Sequence, residues 1–104
     1  MGKKMPPAHP GEILYDLFME PLGLSNYALA KAINVAPIRI SEIVRGKRAI
    51  TPDTALRLAR YFGNTPEIWL GLQKRYELDL ARDKVGKKIE REIKPRPRET
   101  VDVS

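Results

Sequence analysis

Residues 24–48, LSNYALAKAINVAPIRISEIVRGKR, carry start and stop signals for two short helices with almost no chain between them. Ser25 stands where an N-cap accepts a backbone N–H of the opening turn. Leu24 before it and Leu29 within it occupy the N′ and N4 positions of a hydrophobic staple. Leu29, Ala32 and Ile33 give one apolar face at helical spacing. Asn34 tolerates the left-handed backbone that ends such a helix, and Val35 plugs the turn. Pro37 suits the first position of the second helix, where a missing N–H costs nothing. Ile40, Ile43 and Val44 turn the inner face of that helix to a core, and Gly46 closes it. The outer face is left to Pro37, Ile38, Arg39, Ser41, Glu42 and Arg45. Two helices this short, with the second basic on its free side, predict a helix-turn-helix that presents its second helix to the major groove of DNA.

Charge agrees with that expectation in its placement more than in its total. The chain carries a formal net charge of +6, which suits nucleic acid without requiring it. Residues 31–60 hold seven basic residues (Lys31, Arg39, Arg45, Lys47, Arg48, Arg57, Arg60) against Glu42 and Asp53, so this segment alone is +5. Residues 1–30 and 61–81 are each −1, and residues 82–104 are +3. Lys47 and Arg48, just past the second helix, are placed to meet phosphates and fix register on a duplex. The plainer alternative is a solvated basic surface.

Length and residue usage remove other classes. A chain of 104 residues has room for one small domain with tails. It has no cysteine, hence no disulfide framework, thiolate metal site or cysteine nucleophile. There is no apolar run long enough for a membrane span or a signal peptide, and the opening MGKKMP lacks the Ser or Thr of a myristoylation site. A cytoplasmic protein is the expectation. His9 is the only histidine and precedes a proline in an arm expected to be flexible, so it does not suggest a general base. The glycines are scattered at helix ends rather than gathered into a phosphate-cradling loop. No catalytic set, cofactor or metal site is expected.

Five helices and two loose ends account for the whole chain. Residues 1–9 read as an extended arm, residues 10–85 as the folded domain, and residues 86–104 as a polar tail expected to be disordered, with Ile89 and Ile93 as the only argument for a longer last helix. The first helix runs from about Pro10 to Glu20 with Ile13, Leu14, Leu17 and Phe18 inward, and Pro21 stops it. Thr51-Pro52 opens a fourth helix with Ala55, Leu56, Ala59 and Phe62 inward and Gly63 at its end. Thr65-Pro66 repeats that start for a fifth, whose stripe is Ile68, Trp69, Leu72, Tyr76 and Leu80. No alternating pattern is long enough for a strand, so the fold is all-α. The fifth helix has more apolar residues than a small core can cover. Its stripe is therefore expected to form a two-fold dimer interface, which would also space two reading helices about 34 Å apart on DNA. The alternative is that it completes the protomer core.

HPGEIL near the start, EPLGLS before the motif, GKRAITPDTALRLARYFG after it and PEIWLGLQKRYEL in the fifth helix together resemble the HigA-type, or VapI-like, antitoxins of the Xre-like helix-turn-helix class. The resemblance covers about residues 9–82. It implies a five-helix, phage-repressor-like domain that neutralises a RelE-like, mRNA-cleaving toxin (HigB) and represses its own operon as a dimer on a palindromic operator. The alternative it leaves open is a stand-alone helix-turn-helix regulator without a toxin.

Carried over residue by residue, the resemblance implies that Asn26 meets a phosphate and that Pro37, Ile38, Arg39, Ser41 and Arg45 face the groove. Arg39 is the candidate for bidentate hydrogen bonds to a guanine edge. Arg45 suits a phosphate as well as a base, and Glu42 suits pairing with Arg39, Arg45 or Arg48 better than a cytosine. Pro37 and Ile38 depart from a polar reading edge and suggest contact with thymine methyls. Toxin contact near the first helix is also implied. Glu12, Asp16 and Glu20 recur every four residues there as an acidic ridge, which is otherwise an ordinary solvated face.

Overall fold

The structure, a computed structural model, describes residues 6–98. The first five residues of the arm and the last six of the tail lie outside that range. Helix α1 starts at Pro10–Ile13. It widens into a π-helical turn over Leu14–Met19 and tightens into a 3-10 turn over Glu20–Leu22. Four regular helices follow: α2 over Asn26–Ile33, α3 over Pro37–Val44, α4 over Pro52–Phe62 and α5 over Pro66–Glu92. No strand occurs among the described residues.

Local capping chemistry sets most of these boundaries. Ser25 Oγ accepts the Ala28 amide at 3.0 Å, and Thr51 and Thr65 cap α4 and α5 by accepting the amides of Thr54 and Ile68. Pro37, Pro52 and Pro66 each open a helix at its first position. Asn34 ends α2 in the left-handed conformation at φ 61°. Gly46, at φ 76°, turns the chain just past α3, where a Cβ would need a conformation that side chains resist.

The π-helical turn changes which side of α1 is inside. An i→i+5 bond, seen where the Glu20 amide meets the Tyr15 carbonyl, rotates the following residues backward relative to an α-helix. Met19 is therefore fully buried, and Leu17, expected inward, is 66% exposed. Pro21 is the physical reason. It cannot donate to the carbonyl one turn before it, and its ring crowds that position, so the preceding turn opens. Pro21 distorts the helix rather than stopping it. The chain leaves helical geometry only at Gly23.

The core lies where α1 to α4 meet the first half of α5. Leu29, Ala30 and Ile33 enter it from α2, Ile40 and Ile43 from α3, and Ala55, Leu58 and Ala59 from α4. Two expected stripes each exchange one apolar member for another two positions away. Ala30 and Leu58 are buried, whereas Ala32 and Leu56 face outward. Trp69 fills the centre at 0% exposure, tilted against Phe18 and Phe62, with its indole N–H donating to Asn64 Oδ1 at 2.9 Å.

Helix α5 extends past residue 85, where the disordered tail was expected to begin, and stays regular to Glu92. Residues 87–92 are good helix formers, and Lys88 and Glu92 pair across one turn at 3.9 Å. Pro95 then disfavours helix in the residue before it, and the chain is already extended at Ile93.

Candidate nucleic-acid interface

The outer face of α3 and the loop after it form one exposed edge. Pro37, Ile38, Arg45, Lys47 and Arg48 are exposed, and Arg39, Ser41 and Glu42 are half-buried. Ile40 and Ile43 anchor the opposite side at 0% exposure, so the helix is fixed in rotation about its own axis. Asn26 sits half-buried at the first turn of α2, one residue past the Ser25 cap.

Three of the charged residues on this edge are already paired within the protein. Arg48 donates from Nε to Glu42 Oε1 at 2.8 Å, and its Nη2 lies 2.6 Å from the same oxygen. Glu42 is therefore an ion-pair partner of Arg48, one of the three partners expected for it. Arg39 donates from Nη1 to Asp53 Oδ2 at 2.6 Å and to Thr54 Oγ1 at 3.2 Å, which ties it to the first turn of α4. Arg45 lies along α3, and among the described residues its one hydrogen bond is a long contact from Nε to the Ser41 carbonyl at 3.4 Å.

Residues that spacing does not flag hold this edge in place. Asp53 also accepts from Arg57 Nε at 3.0 Å. Arg57 in turn donates from Nη1 to the Ile33 and Asn34 carbonyls, capping the C-terminus of α2. The two guanidinium groups hold the Asp53 carboxyl below the usual carboxylate range, with the Arg39 hydrogen bond the larger cause. In the loop after α3, the Ile50 amide donates to Gln73 Oε1 at 2.9 Å, and Gln73 Nε2 donates to Glu77. A buried glutamine on α5 thus fixes the segment that carries Lys47 and Arg48.

His9 belongs to this supporting frame and not to a loose arm. It is 8% exposed, its Nδ1 accepts the Gly11 amide at 2.9 Å, and its ring meets Tyr76 edge-on at 4.8 Å between centroids. Gly11 then passes so close to α3 that a Cβ there would overlap the Ile43 carbonyl. The His-Pro-Gly triplet caps α1 and docks it on the end of α3. Burial pushes the His9 imidazole below its ordinary value, more than the Glu12 carboxylate raises it.

A helix-turn-helix family model matches residues 17–70, from the π-helical turn to the start of α5. Virulence-associated protein I of Dichelobacter nodosus is 56% identical over 78 residues, covering 75% of this chain and 72% of that protein. Among solved structures, an addiction module antidote protein of the HigA family from Coxiella burnetii superimposes with a TM-score of 0.84 at 48% identity, covering 88% of this chain and all of that one. The Pseudomonas aeruginosa antitoxin HigA, solved with the higBA promoter, superimposes with a TM-score of 0.83 at 45% identity, covering 86% and 97% of the two chains. The chain belongs to the HigA family of helix-turn-helix proteins.

The two other surfaces expected from the HigA resemblance differ in what they present. Glu12, Asp16 and Glu20 are all exposed along α1, despite the π-helical turn between them. The α5 stripe is largely used inside the protomer. Trp69 is core, Leu72 packs against that core, and Tyr76 is half-buried against His9. Trp69 is therefore corrected from dimer contact to core anchor, because the aromatic pocket of Phe18 and Phe62 encloses it completely. Ile68 at 48% and Leu80 at 43% exposure are the members of that stripe left accessible.

Proposed function

We propose that this HigA-family protein binds operator DNA through the outer edge of α3, represses its own operon as a dimer, and neutralises a RelE-like toxin. The observation that carries the reading is the exposed, basic edge of a rotationally fixed α3 in a chain 45% identical to an antitoxin solved with its promoter. In this reading Arg39 meets a base edge, with Ser41 and Arg45 beside it and Pro37 and Ile38 against thymine methyls. Asn26, Lys47 and Arg48 meet phosphates, which set register and salt dependence.

The dimer joins the accessible apolar residues of α5, chiefly Ile68 and Leu80, across a two-fold axis. The toxin, a basic RNA-cleaving protein, docks near the acidic face of Glu12, Asp16 and Glu20. Co-expression with a short basic reading frame encoded next to this gene tests the antitoxin role. Restored growth and a co-purifying complex are expected. Operator binding without rescue or complex would leave a stand-alone regulator instead.

A further inference from the structure

Arg39 is the residue assigned above to reading a base, yet it is not a free side chain. Its Nη1 reaches two acceptors on the first turn of α4, Asp53 Oδ2 at 2.6 Å and Thr54 Oγ1 at 3.2 Å. Thr54 is 1% exposed and therefore a fixed point of the core, and its hydroxyl also meets Thr51 Oγ1. A planar guanidinium pinned at one nitrogen by two acceptors loses most of its rotational freedom. Its Nε and Nη2 hydrogens point along the opposite edge of the plane, the edge that pairs side-on with guanine O6 and N7. Among the described residues neither nitrogen has a hydrogen-bond partner.

We propose that Asp53 is a specificity-determining residue that never touches DNA: with Thr54 it orients Arg39 and leaves the Nε–Nη2 edge to read a base pair. The inference rests on the reading of α3 as the DNA-recognition helix. Its energetic logic is preorganisation, since an arginine already held in its reading geometry loses less freedom when it binds. A carboxylate in a basic surface otherwise only repels phosphate, weakening every DNA equally. The two roles predict opposite changes in discrimination.

The test uses full-length protein and two duplexes: one selected from a random pool by the unaltered protein, and a scrambled version of it. Asp53→Ala is expected to strengthen binding to the scrambled duplex while reducing the preference for the selected one by roughly tenfold. In an Arg39→Ala background the same change is expected to leave preference unaltered. Arg57→Ala removes the other Asp53 ion pair and the α2 cap but not the Arg39 tether. It is expected to lower the melting temperature without shifting preference, separating orientation from stability. Equal strengthening on both duplexes by Asp53→Ala, or an increased preference, would overturn the proposal. Failure of the unaltered protein to enrich any duplex would instead overturn the DNA-binding reading on which it rests.

Discussion

Gly11 lies against the carbonyl of Ile43 so closely that no side chain fits between them. This contact joins the start of α1 to the end of α3, so the orientation of α3 depends on a residue with no side chain. Gly11→Ala must push the helices apart or unfold the cap. A loss of about 3 kcal/mol or more is expected in urea unfolding, at the upper end for overpacked cores. A loss below 1 kcal/mol, within the range of tolerated swaps, would mean that α1 can slide on α3 freely.

His9 makes the same junction sensitive to pH. Its folded-state affinity for a proton is below the ordinary value of 6.5, mainly because burial disfavours the imidazolium. The unfolded chain therefore takes up the proton first. Stability from this group is fully present above about pH 6.5 and declines as pH falls from there toward the folded-state value. Protonation also removes the Nδ1 lone pair that caps Gly11. Thermal melts of the unaltered protein and His9→Asn at several pH values between about 8 and 5 check this. The unaltered protein should lose stability relative to His9→Asn on acidification, and parallel profiles would contradict the assignment.

Trp69 separates a core role from an interface role. Truncation to alanine leaves a cavity beside Phe18 and Phe62 and strands Asn64 Oδ1 without its indole donor. A cost of about 3–5 kcal/mol is expected by chemical denaturation. Sedimentation of a stably folded monomer after Trp69→Ala would instead place the indole between protomers.

Gln73 is expected to matter through one backbone group. Gln73→Leu leaves the Ile50 amide facing an apolar side chain, at a cost of about 1–3 kcal/mol. Hydrogen exchange at Ile50 should accelerate more than exchange in α2. Unchanged protection at Ile50 would show that the loop carrying Lys47 and Arg48 is held by other contacts.

The parts of the fold legible in the sequence are those decided by near neighbours. Ser25, Thr51 and Thr65 cap, Asn34 turns left-handed, and Pro37, Pro52 and Pro66 open helices because each effect acts within a few residues. What spacing conceals depends on distant partners or altered geometry. Leu17 and Met19 exchange places because a π-helical turn breaks the helical period. Leu56 reads as core by its apolarity but lies on an open groove with Ala32 and Tyr61, while Leu58 one face away is buried. His9 reads as part of a loose arm because Tyr76, its packing partner, lies 67 residues away in sequence. At the candidate interface, the outer face of α3 is readable from periodicity. The Asp53–Arg39 and Gln73–Ile50 bonds are not, since neither spans a local repeat.

The most direct test of the account is a titration of the unaltered protein and Arg39→Ala against the selected and scrambled duplexes across a series of salt concentrations. Preference for the selected duplex should fall in Arg39→Ala by about 1–3 kcal/mol. Lys47→Ala, run alongside, should weaken binding to both duplexes evenly and reduce the salt slope by about 1. Absence of any association at low ionic strength, or an Arg39→Ala protein with undiminished preference, would contradict the claim that the edge of α3 reads DNA.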